Sequence, residues 1–170
     1  MSHATAQTAR SLLAPVQLLV LDFDGVFTDN RVLVMQDGTE GVMCDRSDGL
    51  GLEMLRKAGF PVLVISKEQN PVVSARCRKL KIECVQGCDD KHSELVRQAA
   101  ARQLTPAQIA YVGNDINDLG PMGYVGVPIA VSDAYPRVLA AARLVTTKPG
   151  GHGAIREVAE WILPEASRSA

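Results

Sequence analysis

A chain of 170 residues with 46% hydrophobic side chains has the size of one ordinary domain and can bury a core without disulfide or metal staples. Its 18 basic and 19 acidic side chains leave a formal charge of −1 with no block of like charge, which excludes the electrostatic footprint of a nucleic-acid binder and points to a small molecule as partner. No run is long and apolar enough to cross a bilayer, and Ser2 to Ala14 lacks the apolar centre of a signal peptide. The expected location is therefore cytoplasmic, with Cys44, Cys77, Cys84 and Cys88 reduced.

In chain order, residues 1–13 carry no strong pattern and are expected not to order. Residues 16–22 form a short apolar run ending in Asp22, as a central parallel strand does when it delivers its last residue to a site. Arg31 to Met35 and Glu40 to Cys44, around an Asp37-Gly38 turn, predict a β-hairpin over about 30–45. Helical periodicity over Gly49–Ala58, Pro71–Leu80, Lys91–Gln103, Tyr135–Ala142 and Ala154–Leu163 alternates with apolar runs at Pro61–Ser66, Ile82–Gln86, Ile109–Gly113 and Val127–Val131. Thr105-Pro106-Ala107-Gln108 reads as a capped helical turn before the strand at Ile109. Residues 165–170 are expected, like the first thirteen, to lack order.

Repeated strand and helix, with aromatics at 4% and aliphatics plentiful, predicts an α/β fold: three layers around a central parallel sheet, Rossmann-like, with right-handed crossovers. The expected domain is single, 1–170, with a core over about 16–163. In such a fold ligands sit beyond the carboxyl ends of the strands. Those ends carry Asp22 and Asp24, then Ser66, then Lys91 at a helix start, then Gly113-Asn114-Asp115-Ile116-Asn117-Asp118.

A bare Asp-x-Asp is more often a capping turn than a site. Joined in order by a hydroxyl, an amine and a second acid cluster, it suits a phosphate. Hydrolysis of phosphate monoesters needs rate enhancements of up to about 10²¹. An aspartate approaching an anionic phosphoryl group at roughly 4 Å faces a repulsion of about 4 kcal/mol per charge pair at an effective dielectric of 20. A divalent cation and Lys91 would offset that repulsion. The hard oxygen donors of Asp22, Asp24, Asn114, Asp115 and Asp118 favour Mg2+ over zinc. Cys84, Cys88 and His92 are spaced by four, but Gly87 interrupts any helix that would align them as ligands, and His3 and His152 are expected in solvent.

The order Asp22-x-Asp24-Gly25-Val26-x-Thr28, strand-end Ser66, Lys91 and Gly113-Asn114-Asp115-x-x-Asp118 resembles the phosphatases of the haloacid dehalogenase (HAD) superfamily. With Gly150-Gly151-His152-Gly153-Ala154-Ile155-Arg156-Glu157, the chain is similar to their small tetrameric branch. That branch dephosphorylates phosphorylated ulosonic acids. It includes 3-deoxy-manno-octulosonate 8-phosphate phosphatases and the phosphatase-like domain attached to some acylneuraminate cytidylyltransferases. The resemblance implies Asp22 as nucleophile and metal ligand, Asp24 as general acid and base with its carbonyl on the metal, and Ser66 and Lys91 as phosphate holders. Thr28 has a supporting role. Asn114 stands where the branch more often has a carboxylate, so it offers an oxygen without charge. Asp115 supplies the missing charge directly or through water, and Asp118 orients either Lys91 or a metal-bound water.

Ser66 is followed by Lys67-Glu68 rather than the Gly-Arg usual in octulosonate phosphatases, and Glu68 with Lys79 resembles members acting on nine-carbon 9-phosphates. Fewer than 25 residues separate Asp24 from Asp48, too few for a cap domain. The resemblance instead implies a homotetramer built on the hairpins, with Val32, Val34 and Val42 at the interface or packed on their own core. Arg156 reaches a neighbour's substrate carboxylate or pairs with Glu157 or Glu160. Two other functions remain to be distinguished. A signalling receiver domain uses similar parts in a different order, and a catalytically weak scaffold would assemble with a cytidylyltransferase partner.

Overall fold

The computed structural model describes residues 3–163, with side chains described from Gln7 onward. Six parallel strands form one sheet in the order β5-β4-β1-β6-β7-β8. They are β1 (Leu18–Leu21), β4 (Val62–Ile65), β5 (Glu83–Val85), β6 (Ile109–Gly113), β7 (Val127–Ala130) and β8 (Leu144–Val145). Every residue of β1, β4, β6 and β7 is buried, which explains why these strands read as continuous apolar runs rather than alternating ones.

Leu19 of β1 lies opposite Val62 of β4 on one side and Ala110 of β6 on the other. From β1 the chain first builds outward through β4 and β5, then crosses to β6 and proceeds the other way. The order therefore reverses beside β1, and a crevice opens at its carboxyl end. Asp22 is the first residue beyond that end.

The helices are α1 (His3–Leu13), α2 (Arg46–Lys57), α3 (Val72–Leu80), α4 (Lys91–Ala101), α5 (Leu119–Tyr124), α6 (Pro136–Ala141) and α7 (Ala154–Ile162). α7 packs against α2, and α1 packs against α7. Gly51 permits the α2–α7 approach, since a Cβ there would sit 2.9 Å from the Arg156 Cα. For residues 3–13 the expected lack of order is corrected by α1, whose Ala9 and Leu13 are buried in the core, while residues 1 and 2 lie outside the described residues. The other end expected to lack order, 165–170, lies outside the described residues.

The hairpin pairs β2 (Leu33–Val34) with β3 (Glu40–Gly41), with Gly38 in the left-handed conformation at φ 84°. Its strands are shorter than the five-residue runs expected, because most of their side chains have no layer to pack on. Val32, Leu33, Val34 and Met35 are all exposed, as is Met43, while Val42 is partly buried against the core. Among the described residues no helix is long and apolar enough to cross a membrane.

Candidate active site

The turn after β1 is closed by its own residues. The Asp22 N–H donates to the Val112 carbonyl at 3.0 Å, extending the β1–β6 pairing by one residue. Beyond it, buried Thr28 uses Oγ1 to accept from the Gly25 N–H at 3.1 Å and the Asn30 N–H at 3.2 Å. Gly25 adopts φ 76°, and a Cβ there would fall 1.9 Å from the Asn114 Nδ2. Glycine is thus required both for the turn and for the approach of the β1 and β6 loops.

Lys91, at the start of α4, is buried and places Nζ 2.6 Å from Asp22 Oδ1 and 2.9 Å from Asp118 Oδ1. Asp118 is fully buried and collects four donors: Lys91, the Tyr111 hydroxyl at 2.8 Å, and the N–H groups of Asn114 and Asp115 at 2.9 and 3.2 Å. It therefore orients Lys91 and shapes the 113–118 turn. Gly113 leaves room for it, since a Cβ there would meet the Asp118 Cβ at 2.5 Å.

Burial, followed by repulsion from Asp118, pushes Asp22 up to about 7 against the opposing pull of Lys91 and the Phe23 N–H. Burial also lowers Lys91, but the two aspartates outweigh it and its net direction is upward. Asp24 is raised by burial first and by the nearby Glu68 and Glu40 carboxylates, against the pull of Lys91. A carboxyl group held above its usual range is suited to exchange a proton near neutral pH.

Asp22, Asp24, Asn30, Lys67, Glu68, Asn114, Asp115 and Asn117 line a cleft of about 90 Å³. Two larger hollows, of about 490 and 540 Å³, lie beside α1 and α7 and contain none of these acids. The small cleft is the candidate site because the acids meet there at the strand ends, with Lys91 directly behind Asp22. Ser66 is buried at the end of β4, one strand away, where its Oγ accepts from the Glu68 N–H at 3.1 Å.

Two predicted residues are not brought to this cleft within the chain. Lys79 is exposed in the last turn of α3, a helix that runs away from the carboxyl end of β4. Arg156 lies at the start of α7 and lines the hollow of about 490 Å³, with Nε 2.7 Å from Glu160 Oε1. His152 lines the same hollow and is exposed; the side chain of His3 lies outside those described. Cys84 lies in β5 and Cys88 follows a turn at Gly87, φ 68°, so these residues and His92 share no helix face. Conversely, Asn30 lines the cleft and Tyr111 supports it without having been singled out, while Lys67 and Asn117, named only within longer runs, also line it. Tyr111 reads as an ordinary strand residue until its hydroxyl is followed to Asp118.

A divalent metal fits this donor set. Asn114 Oδ1 is buried without a hydrogen-bond partner, an arrangement that costs about 1–3 kcal/mol unless a ligand compensates it. Among the described residues no three His, Cys, Asp or Glu side chains form a ready cage, so the ion would be held by a mixed set. Asp22, Asp24 and Asn114 would provide oxygens and Asp115 further charge, the hard donors and open positions that suit magnesium.

Residues 65–158 match the family model for haloacid dehalogenase-like hydrolases. A 3-deoxy-D-manno-octulosonate 8-phosphate phosphatase of Yersinia pestis is 35% identical over 151 residues, covering 88% of this chain and 81% of the relative. The corresponding phosphatase of Escherichia coli K12 is 34% identical over 152 residues, covering 87% and 79%. Among solved structures, a HAD family hydrolase of Streptomyces avermitilis superimposes with a TM-score of 0.89 at 50% identity, over 92% of this chain and 90% of that one. The Moraxella catarrhalis octulosonate 8-phosphate phosphatase, solved with magnesium, phosphate and a KDO molecule, gives a TM-score of 0.86 at 30% identity, over 99% and 94%. With its acids at the strand ends and no inserted cap, this chain belongs to the haloacid dehalogenase-like hydrolases and is a phosphatase of that family.

Proposed function

We propose that the chain is a magnesium-dependent phosphomonoesterase that releases phosphate from a phosphorylated ulosonic acid, an octulosonate 8-phosphate, in the cytoplasm. The observation that carries this reading is the 2.6 Å contact between Lys91 and Asp22 beside the unpartnered Asn114 oxygen. One nucleophile, one fixed cation and one orphaned ligand atom thus share a crevice. The substrate class is supported by the 8-phosphate phosphatases among the relatives.

Lys91 and the Phe23 N–H, at 2.7 Å, both engage Asp22 Oδ1, which leaves the second oxygen for bond formation. That oxygen attacks phosphorus and the bond to the sugar oxygen breaks, giving an aspartyl-phosphate on Asp22. Asp24 donates its proton to the departing sugar alkoxide. It then takes a proton from the water that hydrolyses the acyl phosphate, returning Asp22 to its carboxylate. Ser66 and Lys91 hold the phosphoryl oxygens. Magnesium, when bound, supplies charge neutralisation between the acids and the phosphoryl group.

A nine-carbon 9-phosphate is the second reading, favoured by one observation. Lys67 and Glu68 line the cleft where the octulosonate enzymes usually carry Gly-Arg. The test is release of inorganic phosphate from octulosonate 8-phosphate and from nine-carbon 9-phosphates, with and without magnesium. Asp22→Asn serves as the blank. Magnesium-dependent release that disappears in Asp22→Asn is expected, with the substrate of highest kcat/KM identifying the chain length. No release from any of them would reject the substrate class.

A further inference from the structure

We propose that Asp48 is a positioning residue for the catalytic turn, acting from outside the cleft through the Gly150–Gly153 loop. The proposal rests on the phosphatase reading with Asp22 as nucleophile, and it concerns how that nucleophile is held.

Asp48 lies in the first turn of α2 and is almost fully buried. Its partners are 105 and 108 residues away: Oδ2 accepts from the Gly153 N–H at 3.3 Å, and Oδ1 accepts from the Arg156 N–H at 2.8 Å. The carboxylate thus caps the amino terminus of α7, whose own N-cap, Gly153 at φ 97°, has no side chain to do so. Burying an acid here is costly unless those donors are kept. The contact is therefore strongly specified.

The loop that Asp48 anchors rests directly on the back of the catalytic turn. The Gly151 N–H donates to the Val26 carbonyl at 3.0 Å. A Cβ on Gly150 would fall 1.8 Å from the Gly25 carbonyl oxygen, and one on Gly151 would fall 2.4 Å from the Thr28 carbonyl carbon. Backbone therefore touches backbone along Gly25 to Thr28, with no side chain between to absorb a displacement. Gly150 is fixed at its other end by Asp133, whose Oδ1 accepts its N–H at 2.9 Å. The line of contact runs from Asp48 through Gly153 and Gly151 to the turn that carries Asp22 and Asp24. Reactions of this kind are sensitive to displacements of about 1 Å, which cost up to roughly 100-fold.

The test compares Asp48→Asn and Asp48→Ala with wild type by steady-state kinetics on octulosonate 8-phosphate, thermal melting, and amide hydrogen exchange of the segment 22–29. Asparagine can keep the shorter bond, to Arg156, through its amide oxygen, but then presents its amide NH2, a donor, to the Gly153 N–H; alanine loses both bonds. The expected result is a graded fall in kcat, several-fold for asparagine and about tenfold or more for alanine, with KM within about twofold. Exchange over 22–29 should accelerate in the same order while exchange in β1 and β6 stays unchanged. Variants that melt lower but retain wild-type kcat and wild-type exchange over 22–29 would overturn the proposal, leaving Asp48 as a helix cap only. If Asp48→Ala fails to fold, Asp48→Asn decides alone. If wild type itself releases no phosphate, the failure belongs to the proposed function, and the exchange measurement still decides the role of Asp48.

Discussion

Asn114 shows how one atom alters the electrostatics of the centre. An amide gives the site a neutral oxygen where a carboxylate would add charge beside Asp22, Asp24 and Asp118. Asn114→Asp is expected to tighten magnesium by tenfold or more, about 1.4 kcal/mol, measured by titration calorimetry. The same change should lower the melting temperature of the metal-free protein, since it adds a buried charge among like charges. The pH dependence follows from Asp22, whose acid is raised to about 7 in the fold from an ordinary value of 3.8. A group more basic when folded disfavours the folded state as pH rises from about 4 to 7, and a divalent cation relieves that penalty by favouring the anion. Magnesium should therefore raise the melting temperature more at pH 8 than at pH 6, and its apparent affinity should fall by up to tenfold per pH unit below 7. Equal shifts at both values would show that Asp22 is already ionised without metal. Asp22, Asp24, Ser66, Lys91 and Asn114 were legible because each stands at a strand end or helix start. Asp48 and Tyr111 were not. Their partners lie 105 and 108 residues away for Asp48, on the helix packed against α2, and seven residues away for Tyr111, in the turn that follows β6, where sequence spacing does not reveal them.

At the scale of elements, the buried strands were legible because burial on both faces makes an apolar run, and Thr105 to Gln108 because Thr105 and Gln108 form a reciprocal cap. The elements that escaped notice lack such signals. α5 contains Gly120, Pro121 and Gly123 in six residues, a composition that argues against a helix. It is nevertheless helical, with Pro121 and Met122 buried by the surrounding structure. β8 is a two-residue edge strand, shorter than any periodicity test resolves. α1 becomes a helix through its packing on α7, a contact with residues at the other end of the chain. The hairpin was legible from its Asp37-Gly38 turn but its strand lengths were not, because those depend on what covers them. It is also tied to the substrate side of the cleft, since Asn70 Nδ2 donates to Glu40 Oε2 at 3.1 Å while the Asn70 N–H donates to Glu68 Oε1 at 2.7 Å.

The whole molecule leaves two deficits that one arrangement would remove. A cleft of about 90 Å³ accommodates a phosphate and an ion but falls below the roughly 300 Å³ at which small-molecule pockets begin, so the sugar must extend beyond it. Lys67 is the one cation lining that cleft among the described residues, and Lys91 behind it is already paired with Asp22, so a sugar carboxylate has little to meet within the chain. Beside it the hairpin exposes Val32 at 53%, Leu33 at 64%, Val34 at 59% and Met35 at 51%, a contiguous apolar strip of the kind that marks an interface. Burying such strips between copies, as a homotetramer of the kind the resemblance implies would do, would remove apolar surface from water and bring another chain's side chains over the open cleft. Val32→Glu together with Val34→Glu should then yield monomers by light scattering and raise KM for the sugar phosphate several-fold or more. The melting transition of each protomer should persist, because neither residue belongs to the core. An unchanged oligomer with unchanged KM would return the hairpin to a free surface and require the cover over the cleft to come from the chain's own loops.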